Sequence, residues 1–155
     1  MNELLAIVRI RGRVNIRKEV EATLGMLRLH RINHCVLVPE APEYLGMLQK
    51  SKDWITWGKV EKKTIVELFK KRGMIAGGKK LDENNMKKIT KYNVLDSFVD
   101  DLIKGKIKFK DCPNLKPVFR LSPPRKGYKA TKLPYPEGDL GNRKDKISEL
   151  LKRMM

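Results

Sequence analysis

The sequence predicts an α+β fold: a β-α-β-α-β core built on a three-stranded sheet, followed by a helical and extended C-terminal extension. Three observations carry this expectation. Residues 1–61 hold three strand-like runs separated by two stretches with apolar residues at helical spacing. Residues 62–155 then change to capped helical patterns and a proline-rich segment. The charge changes at the same place: residues 1–61 carry 10 basic and 7 acidic residues, and residues 62–155 carry 25 and 11. The predicted organisation is therefore a core domain at 1–61 and a basic extension at 62–155.

The first strand is expected to run from Leu4 to Arg11. Its alternation sets Leu5, Ile7, Arg9 and Arg11 on one face and Leu4, Ala6, Val8 and Ile10 on the other. A turn at Gly12, Arg13, Val14 and Asn15 follows, with Asn15 as the expected N-cap of a helix. Ile16, Val20, Leu24 and Leu27 recur at helical spacing, with Glu19 and Glu21 early and Arg28 and Arg31 late, as the helix dipole favours. Cys35, Val36, Leu37 and Val38 form a second strand. Pro42 suits the first turn of a second helix, with Tyr44, Leu45 and Leu48 as a narrow apolar face. Residues 54–60, rich in β-formers, complete the pattern as a third strand, and its Trp54 and Trp57 are candidates to stack on a base or to complete the core. The two helices are expected to cover one face of the sheet and leave the other free for a partner.

In the extension, Thr64 and Glu67 have capping-box spacing ahead of Ile65, Leu68 and Phe69, and Gly73 stops that helix. Asp82 caps a second helix through Met86 and Ile89, and a third runs through Leu95, Phe98, Val99, Leu102 and Ile103. Residues 106–110 alternate Lys with Ile and Phe, as in a lysine-guarded edge strand. Residues 112–136 contain six prolines, six basic residues and no acid, which predicts an extended arm. Val118, Phe119, Leu121, Tyr128 and Tyr135 give that arm anchors that a disordered linker would lack. Asn142 caps a closing helix with Ile147, Leu150, Leu151 and Met154 on one face.

Composition narrows the partner. The chain has 155 residues, 41% of them hydrophobic, with 35 Lys+Arg against 18 Asp+Glu and a net charge of +17. Such a balance calls for a polyanion, and nucleic acid is the first candidate. A membrane partner is not expected, because no apolar run approaches the ~20 residues of a span. The start at Met1, Asn2 and Glu3 does not read as a signal peptide. Cys35 and Cys112, far apart and without a CxxC neighbour, read as reduced thiols of a cytoplasmic protein.

Catalytic chemistry finds no support. Residues 73–80 approach the phosphate-loop pattern GxxxxGK[ST], but Lys80 stands where a magnesium-binding hydroxyl belongs, and a helix precedes it in place of a strand. A basic glycine turn that lies against phosphates is the better reading. His30 and His34 are four apart, but Asn33 interrupts any helix that would align them on a metal. Ser122 has no nucleophile elbow, and the adjacent Asp100 and Asp101 point to different faces of a helix. No cofactor, metal or small-molecule substrate is expected.

Phosphate-binding residues are plentiful. Arg9, Arg11, Arg13, Arg17 and Lys18 cluster around the first turn, and Arg28, His30 and Arg31 around the end of the first helix. The arm adds Arg120, Arg125, Lys126, Lys129 and Lys132, and Arg143 follows it. Guanidiniums grip phosphates bidentately, and His30, Tyr128 or Trp57 are candidates to stack on unpaired bases.

These residues carry a resemblance. The chain resembles the archaeal branch of the L-thirty family of large-subunit ribosomal proteins, whose eukaryotic members are called L-seven. It does so through RIRGRVNIRKEVEATLGMLRLHRINHCVLV at 9–38, the stretch 42–57, FRLSPPRKGYK at 119–129 and EGDLGNRKDKISELLKRMM at 137–155. The family usually continues the Pro-Pro motif with Arg-Gly-Gly, whereas Lys126 takes the first Gly position here, so that turn is expected to differ. The resemblance implies an antiparallel sheet of ferredoxin-like descent. It also implies assembly on large-subunit ribosomal RNA beside neighbouring ribosomal proteins, without catalysis. A free-standing RNA-binding module and an enzyme using the 73–79 loop are the rival readings.

Overall fold

The computed structural model describes residues 3–155; Met1 and Asn2, on which the reading of the extreme N-terminus partly rests, lie outside the described residues. Five strands form one sheet in the order β4-β2-β1-β3-β5. β1 (Leu4–Arg9) lies at its centre, antiparallel to β2 (His34–Pro39) and to β3 (Ile55–Lys59). The extension supplies the two outer strands. β4 (Val118–Arg120) pairs antiparallel with β2, and β5 (Gly141–Asn142) pairs parallel with β3. The sheet therefore has five strands where the sequence predicted three. The added pair is short and held mostly by tertiary contacts, which leaves little periodicity to read.

Both faces of the sheet are buried. Leu5, Ile7, Val36, Val38, Ile55 and Trp57 pack under α1 (Lys18–Met26) and α2 (Pro42–Lys50) through Val20, Leu24 and Leu48. Leu4, Ala6, Val8, Cys35 and Leu37 pack on the opposite face under the extension. There α3 (Lys62–Arg72) contributes Ile65, Leu68 and Phe69, and α5 (Leu95–Ile103) contributes Phe98, Val99 and Leu102. The closing helix α6 (Ile147–Met154) adds Ile147, Leu150, Leu151 and Met154. The face expected to stay free for a partner is thus covered by the chain's own second half. The reason is visible in β1, where all six residues are buried and no solvent face exists.

Phe69 centres this second core. Its ring meets Phe119 edge-on at 5.0 Å and Phe98 edge-on at 5.7 Å, and stacks on Phe109 at 6.3 Å. Such pairs add to the area they bury. Phe109 belongs to a 3-10 turn, Phe109–Asp111, in place of the expected edge strand at 106–110. The Asp111 carboxylate accepts the Lys108 backbone N–H at 2.8 Å and closes that turn.

Other local expectations shift. α1 begins at Lys18, because Asn15 takes a left-handed conformation (φ 57°) in the turn and does not cap. α3 begins at Lys62, so Thr64 sits inside the helix, buried. α4 (Glu83–Thr90) does start after Asp82, though that side chain makes no capping bond. Asn142 lies in β5, and its side-chain oxygen accepts the Lys144 N–H at 2.8 Å in the turn before α6. Gly58 in β3 faces the start of this closing segment: a methyl there would run into the Lys144 carbonyl oxygen. The arm uses some of the anchors expected of it. Phe119 and Leu121 are buried, Ser122 N–H reaches Met154 O at 3.1 Å, and Arg125 N–H reaches Arg153 O at 3.0 Å.

Candidate nucleic-acid interface

Antiparallel register brings the C-terminal end of β1, the N-terminal ends of β2 and β3 and the C-terminal end of β4 to one end of the sheet. The pairs Val8–Cys35, Arg9–Ile55 and His34–Arg120 mark it. Three loops meet there: the turn after β1, the loop from α1 to β2, and the Pro-Pro segment after β4.

Asn33 joins all three. Its N–H donates to Arg9 O (2.8 Å), its carbonyl accepts from Leu121 N–H (3.0 Å), and its side-chain oxygen accepts the Tyr128 hydroxyl (2.8 Å). Asn33 has φ 63°, a conformation Asn tolerates better than most residues. Burial raises the Tyr128 hydroxyl to about 12, with Asp139 adding to the effect, so it remains a neutral donor.

Arg9 lies beneath this junction, 1% exposed. Its Nη1 donates to Leu29 O at 2.7 Å, Nε to Arg11 O at 2.8 Å and Nη2 to Gly12 O at 3.1 Å. Burial holds this guanidinium below its ordinary pKa, and the Arg13 charge adds to that. Arg9 is therefore a brace of the loop and not the phosphate ligand the sequence predicted. Alternation placed it on the sheet but could not show that loop carbonyls would close over it.

Arg143 is corrected in the same way. It is buried, ion-paired to Asp139, and its Nε donates to Thr56 Oγ1 at 3.1 Å. The Asp139 carboxylate also accepts the backbone N–H groups of Lys129 and Ala130, so this pair knots the 129–143 segment onto β3. Trp57 is buried in the α1–α2 core and cannot stack on a base.

The remaining predicted cations reach the surface. Arg11 lies over Trp54 with its guanidinium carbon 4.9 Å from the ring, and its Nη1 donates to Asp53 O at 3.3 Å. Arg13 donates from Nε and Nη2 to His30 O at 3.2 and 3.0 Å, tying the turn after β1 to the α1–β2 loop while staying exposed. His30, Arg31, Arg120 and Arg125 are exposed around the same junction. Arg17 and Lys18 are exposed at the start of α1. Arg28 lies apart, lining a groove of about 850 Å³ beside Val36–Val38 and Tyr44. Lys126 and Gly127 both take left-handed backbone (φ 67° and 70°) in a turn closed by Gly127 N–H to Pro124 O at 3.0 Å. The Pro-Pro turn therefore has the glycine geometry even where Lys replaces glycine, at a strain of about 1 kcal/mol. Lys129 donates to Pro136 O at 3.3 Å, and Lys132 is exposed beyond it. Among the described residues none of these surface cations has a carboxylate within 4.0 Å.

Of the Trp pair that the sequence offered for base stacking, Trp54 and not Trp57 is accessible, half-buried at the start of β3 under Arg11. Sequence reasoning missed one member of the site. His34 sits at the mouth of the site with its Nδ1 buried and unpartnered. Burial holds its pKa below the ordinary value, and the Arg120 and Arg31 charges push the same way, so it is neutral at pH 7. Nothing in the spacing of His34 marks it for this role. The rival phosphate loop fares differently: residues 74–80 form a hairpin between α3 and α4, with Met74 bridged to Lys80.

An end of a sheet with unpaired guanidiniums, a stacked indole and a neutral imidazole is suited to polyanions that also present flat rings. Comparison with known proteins supplies the family. Residues 5–55 match the family described as ribosomal protein L30p/L7e. The chain is 47% identical over 152 residues to the large ribosomal subunit protein uL30 of Methanocorpusculum labreanum, covering 97% of this chain and 99% of that protein. The chain belongs to the L30p/L7e family of ribosomal proteins. Its uL30 relatives from Archaeoglobus fulgidus (43% over 151 residues, 97% of this chain and 99% of the relative) and Methanococcus vannielii (46% over 153 residues, 97% and 98%) match at the same scale. The likeness spans the L30p/L7e core and the extension alike, so the covered second face of the sheet lies within the matched length. No described helix is long and apolar enough to cross a membrane.

Proposed function

We infer that this chain is a non-enzymatic structural constituent of the large ribosomal subunit, in the cytoplasm, that holds ribosomal RNA at the arginine-rich end of its sheet. The family membership supports the first part. One observation supports the second: Arg11, Arg13, Arg31, Arg120 and Arg125 surround a braced, three-loop junction with no carboxylate opposite them among the described residues. The brace matters because phosphate contacts made by preset loops lose less ordering entropy than those made by a floppy arm.

In this reading the guanidiniums take phosphates bidentately, Trp54 and His30 offer flat surfaces to unpaired bases, and His34 offers a neutral hydrogen-bonding edge. Neighbouring ribosomal proteins are the second class of partner. The test is binding to deproteinised large-subunit RNA. Arg120→Lys with Arg125→Lys keeps the charge but loses planar, bidentate recognition, so affinity is expected to fall several-fold. Parent-like affinity in that double variant would reduce this edge to a charge reservoir.

A further inference from the structure

The basic hairpin at residues 74–80 lies outside the site described above. Residues 70–91 hold eight Lys or Arg against Asp82 and Glu83. The hairpin is held firmly at its base. Ile75 is buried, Ile75 N–H donates to Lys79 O (2.9 Å), Ala76 N–H to Asn114 O (2.7 Å) and Lys116 N–H to Met74 O (2.9 Å). Its tip is Gly77 and Gly78, at φ 86° and 77°, with no heavy atom within 4 Å of where a side chain would begin. The tip is thus bare backbone facing solvent in a conformation that glycine adopts without strain.

Lys79 and Lys80 follow the tip, both exposed. α4 comes next and buries Met86 and Thr90, which turns Lys87, Lys88 and, just past its end, Lys91 outward together. Among the described residues none of these five lysines lies within 4.0 Å of a carboxylate. The hairpin pairs with residues 114–116, ahead of β4, whereas β4 runs on to deliver Arg120 to the sheet end. The two basic surfaces therefore sit at opposite ends of the 115–120 segment.

We propose that the hairpin tip and the α4 lysines form a second RNA-binding site that lies against the phosphate backbone of an RNA duplex, separate from the sheet-end site. Ammonium groups on flexible stems suit sequence-independent phosphate contact. A side-chain-free tip lets the backbone approach a strand closely. A flat ring or groove that would read bases is absent from this set of residues, so shape and charge are all it recognises.

The test uses the full chain and a 20-base-pair RNA duplex of arbitrary sequence. One variant removes the second site (Lys79→Gln, Lys80→Gln, Lys87→Gln, Lys88→Gln). Another removes the sheet-end site (Arg13→Gln, Arg31→Gln, Arg120→Gln), and a third combines them. All substituted side chains are exposed, and thermal melts check that each variant folds. The sheet-end variant is expected to retain duplex binding, and the added lysine changes to abolish it. The lysine variant alone should lower the slope of log affinity against log salt by about 3, as the loss of four phosphate contacts requires. If the lysine changes leave affinity and slope at the parent's values in both backgrounds, the proposal is overturned and the patch is a surface for something other than duplex RNA. If the lysine changes act on the duplex while the sheet-end changes are silent there, the second site stands; if the sheet-end changes are also silent on deproteinised large-subunit RNA, the sheet-end reading falls and the second site is unaffected.

Discussion

Arg9 and Arg13 are four residues apart and do different work. Arg9 is enclosed and satisfies three loop carbonyls, whereas Arg13 spans two loops from the surface. Arg9→Lys cannot serve three divergent acceptors with one ammonium and leaves carbonyls of this enclosed site unpaired, so it should cost about 1–3 kcal/mol in denaturant unfolding. Arg13→Lys should cost well under that and act on RNA binding instead. His34 adds a pH signature. Its pKa is depressed in the folded chain, so below about 6.5 the unfolded state takes up a proton that the folded state resists. Stability should therefore fall as pH drops from 7.5 towards 5, above the range where carboxylates titrate, and His34→Asn should flatten that fall. An unchanged slope in His34→Asn would remove the imidazole from the account.

At the scale of elements, the five signals of the first 60 residues were legible: three strands and two helices emerge within a few residues of their expected limits. Alternation and helical spacing report burial directly, and those elements are buried in regular fashion. What sequence reading lost was long-range. β4 and β5 are three and two residues long and exist because β2 and β3 offer them edges. The 106–110 alternation looked like a strand, yet Phe109 is drawn onto Phe69 and the segment turns. The same limit applied to the site: cation positions were visible, but which of Arg9, Arg11, Arg13 and Arg143 are enclosed depends on chain segments far away in sequence. Gly58 tests the element-level packing. Gly58→Ala places a methyl against the Lys144 carbonyl and should loosen the closing helix, seen as faster hydrogen exchange across 147–154 together with a loss of about 1–3 kcal/mol.

For the whole molecule, one hydrophobic layer is shared by both halves of the sequence. Leu4, Ala6, Val8, Cys35 and Leu37 come from residues before 61, and every helix that covers them comes from after it. The change in charge and pattern near residue 61 therefore does not coincide with a break in the core. A fragment of residues 1–61 would expose that face to water, at about 25 cal/mol per Å² of apolar surface. It is expected to show no cooperative melt, and a sharp two-state transition would instead make residues 1–61 an independently folding domain. The thiols report the same integrity: burial raises Cys35 to about 12 and pushes Cys112 up as well. Alkylation of both should wait for unfolding.

The chain's net charge of +17 is borne by a folded body whose cations at the sheet end face no described carboxylate. The direct measurement is the affinity for large-subunit ribosomal RNA as a function of salt, for the parent and for Arg13→Gln, Arg31→Gln, Arg120→Gln. Each phosphate contact contributes a slope of roughly 0.7 to 0.9 in log affinity against log salt. The account predicts a steep parent slope that falls by about 2 in the variant, with thermal stability little changed. A variant whose slope and affinity match the parent's would contradict it.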